Sequence, residues 1–320
     1  MTFTKFKDRI WGVYGAFGGG AARLPRPLGR AAFSIVDAAL WIGWALPRSP
    51  LRRTARALAR QSGAGSATAL YGHFVSGFVA ALHDMERLRA GHAAEIDARV
   101  QVPEAGRLDA MLTRGGVLMV MPHANGALHV VRGLAQRHTV TLLARATRND
   151  ARARAQRAYY DRLGATVIDV RRTPETRVAR HVLRALRGGE IVIGAGDLIG
   201  APPEVAHDTA HDRVRVTAFG QPIGAAGWPH RFAARASVPI LPVMIAREGP
   251  SVVLHLGPAV GADDAVTATQ AWMDGLIRGV LAHPADWAFV FDRHWMRVLA
   301  AADAAPAAPA PAPSDRAEPV

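Results

Sequence analysis

From about residue 110 the chain alternates short apolar runs with segments of helical pattern, and this alternation restricts the fold more than any other feature. The runs are GGVLMVMPH, HTVTLLARA, ATVIDV, EIVIGAGD, VRVTAFG, VPILPVMIARE and SVVLHLGPAV. VLMVM is apolar at every position, which suits a strand buried on both faces. Helical patterns occupy 127–136, 149–163, 174–188, 224–236 and 265–283. Strands that alternate with helices form sheets whose faces the helices cover. The expectation is an α/β fold over 101–299, with a central, mostly parallel or mixed sheet of about seven strands flanked by helices.

Residues 1–100 follow a different pattern and read as a helical, membrane-associating region. SPLRRTARALARQSG has a Ser-Pro start and a Gly stop, and SATALYGHFVSGFVAALHDMERLRAG begins with Ser and closes on a basic turn. AAFSIVDAALWIGWAL (Ala31–Leu46) is the most apolar stretch, but it has 16 residues and contains Asp37. A membrane-spanning helix needs roughly 18 or more apolar residues. Arg23, Arg26 and Arg30 precede this stretch; Arg48, Arg52 and Arg53 follow it. Two readings stay open: a buried amphipathic helix, or an interfacial helix with Trp41 and Trp44 at the headgroup level. The start, MTFTKFKDRIWGVYGAF, has the same aromatic and basic mixture. Residues 300–320 are rich in Ala and Pro, cannot bury a core, and read as a disordered tail.

There is no cysteine, which excludes disulfides, cysteine nucleophiles and thiolate metal sites. The net charge is +13. Such a field favours an anionic partner: an acidic membrane surface, a phosphorylated ligand or an acidic carrier protein. Nucleic acid is not expected, because the aromatics lie in apolar runs and no nucleic-acid motif appears.

In open α/β sheets, sites gather at the carboxyl ends of strands. Four such ends carry suggestive residues. His123 follows VLMVMP, with Asn125 and His129 beyond it; Arg145 and Arg148 follow TLLA; Asp197 follows EIVIGAG. In the FGQPIGAAGW turn Gly224 and Gly227 open a helix, where backbone amides can meet an anion, although close helix–sheet packing explains these glycines equally well; Gly220 of the same turn is a further candidate contact. Together they describe a pocket with a His base, a cationic wall and a Gly-rich turn.

Three segments carry a family resemblance. VTAFGQPIGAAGWPHRFAARASVPILPVMIARE resembles a stretch of bacterial membrane acyltransferases: phenylalanine-glycine, a small-residue turn, a helix, then Gly/Ser-x-Pro-hydrophobic-x-Pro. EIVIGAGDLIG resembles the preceding strand with its acidic loop, and HPADWAFVFDRHW the carboxyl-terminal segment. His123 falls where the family keeps the His of its H-x4-D/E motif. Over roughly residues 10–298 the chain is similar to the late acyltransferases of lipid A biosynthesis (lauroyl/myristoyl type) and the related phosphatidylinositol mannoside acyltransferases.

The resemblance implies a membrane-associated acyltransferase on the cytoplasmic face of the inner membrane. The donor is an acyl thioester, acyl-CoA or acyl carrier protein. The acceptor is a lipid or glycolipid hydroxyl. His123 is the general base; Asn125, Arg145, Arg148, Gly220 and Gly224 contact substrate. No metal or resident cofactor is required by thioester acyl transfer.

The chain departs from the motif at one place: the acidic position is Leu128. Asp197 is the first substitute, with Glu204, Asp208 and Asp212 behind it. His123 acting alone, held by Asn125 or paired with His129, is a further option. The alternative to an enzyme is a non-catalytic lipid or acyl-chain binding protein on the same fold. Separately, His207 and His211 in HDTAHD stand four apart, a spacing that can bind zinc on a helix but more simply marks a polar loop.

Overall fold

The computed structural model describes residues 20–21, 23–288 and 292–304. Seven strands form the main sheet, in the order β1 (Val100–Gln101), β10 (Ser251–Leu256), β9 (Ile240–Glu248), β2 (Val117–Met121), β5 (Ile191–Ala195), β3 (Val140–Ala144) and β4 (Thr166–Asp169). From β9 to β4 the neighbours are parallel; β10 runs antiparallel to β9, and β1 pairs parallel with β10. Every residue of β2 is buried, as a strand covered on both faces requires. Its side chains alternate between two cores. Leu118 and Val120 point to one; Val117, Met119 and Met121 point to the other.

All seven apolar runs are strands, but the seven-stranded sheet is not built from those seven. The run VRVTAFG forms β7 (Arg213–Ala218) of a separate antiparallel sheet, between β6 (His207–Asp208) and β8 (Gln221–Ala226). The short β1 takes the seventh place. The helix expected over 224–236 begins only at Trp228, because residues 221–226 pair with β7 as a strand. The connecting turn is Phe219-Gly220, both at positive φ, as two-residue hairpins of right-handed twist demand.

The remaining helices cover the sheet: α6 (Ala105–Leu112), α7 (Ala127–Ala135), α8 (Asp150–Tyr160), α9 (Glu175–Arg187), α10 (Trp228–Ala236) and α11 (Ala265–Ala282). Ahead of them lie α1 (Arg26–Ala32), α2 (Ser34–Ala45), α3 (Pro50–Ser62), α4 (Ala67–Arg89) and α5 (Ala93–Asp97). Gly63 ends α3 in the left-handed conformation, and the Ser66 hydroxyl caps α4 by accepting from the Ala69 amide. The apolar stretch 31–46 is two helices, broken at Phe33. Trp41 and Trp44 face inward, packed on Tyr71 of α4 at ring distances of 5.1 and 4.4 Å. The outward apolar residues are instead Leu28, Ile35, Ile42 and Leu46. No helix among the described residues is long and apolar enough to cross a membrane.

Residues 300–304, expected in the disordered tail, continue α12 (Arg293–Ala304), which packs on α3 through the Arg60–Asp303 ion pair. The amino-terminal segment 1–19 and the tail from 305 lie outside the described residues.

Candidate active site

Register brings the site together. β2 and β5 are parallel neighbours, with Met121 opposite Ala195. Each strand is followed by one spacer residue, Pro122 or Gly196, and then by the polar residue. His123 and Asp197 therefore meet across the carboxyl edge of the sheet. His123 Nδ1 lies 2.6 Å from Asp197 Oδ1. The His123 backbone N–H donates to Oδ2 at 2.8 Å, so one carboxylate grips both the ring and the backbone of the same residue. The indole N–H of Trp287 donates to Oδ2 at 2.9 Å. Trp295 donates to the Asp197 carbonyl at 2.8 Å. Asp197 is 2% exposed, whereas the His123 side chain is 39% exposed.

The segment around Trp287 is itself tied to the His loop. Ala124 and Trp287 form an antiparallel bridge. The Ala288 N–H donates to the His123 carbonyl at 2.6 Å, and the Asn125 N–H donates to the Asp286 carbonyl at 2.8 Å. Phe219 stacks on Trp287 at 6.3 Å and meets Trp295 edge-on at 6.0 Å. This aromatic plate excludes water from the back of Asp197. A carboxylate hydrogen bond in such low-dielectric surroundings is stronger than one in water.

In front of His123 opens a cavity of about 730 Å³. Its walls are mostly apolar, including Leu82, Met85, Leu142, Tyr160 and Phe232. Leu128, the residue at the motif's acidic position, is part of this wall. Arg145 lines the cavity, joined by Arg231 and Arg235 from α10. Arg148 is exposed and lies outside the lining. Loss of hydration and the nearby positive charges of Arg145 and Arg148 lower the pKa of Arg171, so these three guanidiniums form one basic cluster beside the carboxyl ends of β3 and β4.

Asn125 is buried in the cavity wall with its side-chain Nδ2 unpaired among the described residues. His129 is buried too, and burial pushes its pKa down to about 4, partly offset by Asp84. Neither of its ring nitrogens has a hydrogen-bond partner among the described residues, so it does not pair with His123. Gly220 and Gly224 do not line the cavity. Gly220 serves the hairpin turn. A Cβ at Gly224 would collide with the Ala201 carbonyl oxygen, which explains the missing side chain by packing.

Two of the other candidate acids are engaged elsewhere. Asp208 binds the His211 ring at 2.8 Å, and Asp212 pairs with Arg231 at 3.3 Å. Glu204 is on the surface. His207 lies on β6 and His211 in the following turn, so the helical face that zinc binding needed does not form. Among the described residues, one other trio could offer metal ligands: Glu248, His255 and His283, with candidate atoms within 4.8 Å of one another. There His255 is already hydrogen-bonded to Glu248 at 2.9 Å and stacked on His283.

Trp287 and Trp295 complete the surroundings of Asp197. Both are buried, but each also donates to Asp197, a role with no local signature in the sequence. What could have drawn attention to them is the Trp287 and Trp295 pair flanking an otherwise mixed carboxyl-terminal segment.

The site is thus that of an α/β protein with a His backed by a buried acid, opening on a largely apolar cavity partly lined by arginines. The chain belongs to the bacterial lipid A biosynthesis acyltransferase family, whose model matches residues 74–297. No curated protein matches it. The family places the chain among acyltransferases of lipid biosynthesis, and the match includes the His loop, the acidic loop and the Trp287 segment.

Proposed function

We propose that the protein moves a fatty acyl group from an acyl thioester to a lipid or glycolipid hydroxyl, with His123 as general base and Asp197 as the acid that orients it. The observation that carries this reading is the 2.6 Å contact between His123 Nδ1 and the buried Asp197 carboxyl, at the mouth of an apolar cavity. A carboxylate only accepts hydrogen bonds, so the proton of the neutral imidazole belongs on Nδ1. Proton transfer then falls to Nε2.

The acceptor hydroxyl attacks the thioester carbonyl carbon as its proton passes to His123 Nε2. Asp197 stabilises the imidazolium that forms. The tetrahedral intermediate collapses, the C–S bond breaks, and the leaving thiolate recovers the proton from Nε2. No step calls for a metal or a resident cofactor. The cavity volume suits an acyl chain with its reacting end, within the roughly 300–1,000 Å³ of ordinary ligand sites. Arg145 and the cluster with Arg148 and Arg171 suit the phosphates of CoA or of a phosphopantetheine arm, and an acidic carrier protein behind it.

The exposed apolar residues Leu28, Ile35, Ile42 and Leu46, with the arginines around them, suit a peripheral position on an anionic membrane. The cytoplasmic face of the inner membrane is the compartment where both thioester donors are at hand.

The test is transfer from labelled acyl carrier protein and labelled acyl-CoA to a membrane lipid extract, by the wild type and His123→Ala. A labelled lipid made by the wild type alone supports the reading. Folded wild-type protein that yields no acyl lipid from either donor points to the binding protein instead.

A further inference from the structure

Behind the His loop, on the far side of α4, lies a second cavity of about 680 Å³ that the transfer chemistry does not use. One face of α4 contributes His73, Gly77, Ala80, His83 and Asp84 to it, at helical spacing. Arg26 and Arg30 enter from successive turns of α1, Arg99 from the segment before β1, and Arg247 from the end of β9.

The charges do not balance. Four guanidiniums face two carboxylates, Asp84 and Asp286, leaving two positive charges in excess even with both acids ionised. Asp84 is spent mainly on Arg99, which holds it through both terminal guanidinium nitrogens, Nη2 at 2.8 Å and Nη1 at 2.9 Å. Arg26 and Arg247 approach Asp84 only at 3.6 and 3.7 Å. Arg30 makes no ion pair among the described residues. Asp286 points an oxygen at the Arg247 backbone N–H at 3.0 Å rather than at a guanidinium.

Hydrogen-bonding capacity is also left over. Arg247 Nη1 is buried and has no partner among the described residues, and neither ring nitrogen of His83 has one, although that side chain is 0% exposed. Buried donors of this kind cost free energy until something accepts from them, and arginine more than most. Water can satisfy a donor; it cannot neutralise two surplus charges gathered in one pocket.

We propose that this cavity is a binding site for a phosphate monoester, held by Arg26, Arg30 and Arg247. The dianion matches the surplus charge, and the planar forks of several guanidiniums match tetrahedral oxygens. The volume admits a headgroup beyond the phosphate itself. Arg30 shares its helix with the outward-facing Leu28, so a phosphate on a lipid headgroup and a free phosphate are both within reach of the site.

The experiment titrates the full chain with inorganic phosphate and, separately, with dihexanoyl phosphatidic acid, dihexanoyl phosphatidylcholine serving as the reference for contact with the hydrocarbon. Arg30→Gln, Arg247→Gln and, outside the cavity, Arg180→Gln are compared with the wild type by calorimetry. The expected result is saturable one-to-one binding, weakened about tenfold by Arg30→Gln and by Arg247→Gln and unchanged by Arg180→Gln. Equal affinity for both phosphates identifies a site for the free anion; a clear preference for the phosphatidic acid identifies a lipid headgroup. Binding that is absent, or that falls as much with Arg180→Gln as with Arg30→Gln, overturns the proposal. Arg30 is exposed, so its substitution tests the site even if Arg247→Gln does not fold. The readout is binding alone, and it stands apart from the outcome of the transfer assay.

Discussion

At the scale of single residues, the most consequential one for solution behaviour is His129. It is buried near Asp84, Arg99 and Arg247, without a hydrogen-bond partner among the described residues, and burial pushes its pKa down to about 4. The unfolded chain takes up a proton there near pH 6.5, while the folded chain resists until about 4. Folding stability therefore falls as the pH drops through that window, by about 3 kcal/mol in total from this group. Burial lowers His83 and His283 in the same direction. Asp286 acts oppositely: burial raises it to about 6, so acidification through that range relieves a cost. His129→Leu should flatten the acid limb of the stability profile between pH 6.5 and 4, as denaturant unfolding at several pH values would show. A variant with the full wild-type slope would mean that His129 is hydrated in the native state.

Single residues also show where sequence reasoning reached and where it stopped. His123 and Asp197 were legible because each follows an apolar run by one spacer residue, and strand ends are where sites collect. Their partnership was not fixed by that, since nothing local says that β2 and β5 are neighbours. Trp287 was less legible still. It stands 90 residues from the carboxylate it binds.

At the scale of elements, the seven apolar runs announced strands, yet their assembly depended on which faces they bury. VLMVM and IVI are apolar throughout and lie in the parallel sheet. RVRVTA alternates, and β7 accordingly buries one face and exposes the other in a small antiparallel sheet. That signal was in the sequence. The misread element was QPIGAA, whose Pro and two small residues look like a turn into a helix. It is a strand because it pairs with β7 along its whole length, and position 224 is Gly because the Ala201 carbonyl leaves no room for a Cβ. Gly224→Ala should lower stability by about 1–3 kcal/mol through overpacking, read from the midpoint of thermal or denaturant unfolding. If Gly224 instead touched substrate, the same change would raise KM at unchanged stability.

At the scale of the whole molecule, the fold places a polar pair, an apolar cavity and a set of arginines at one edge of the sheet. Leu128 then stops being a defect. It is part of the cavity wall, while a carboxylate 74 residues beyond His123, that of Asp197, grips His123 at both ring and backbone. The account stands on Asp197 supplying what position 128 lacks. The direct measurement is kcat for acyl transfer by Asp197→Asn beside the wild type, with circular dichroism to verify folding. An amide keeps the shape and the indole contact but cannot hold the same imidazole tautomer, so kcat should fall by about 10⁴ with KM little changed. A folded Asp197→Asn enzyme that retains kcat within about threefold, far short of that loss, would contradict the account, since His123 would then be working without Asp197.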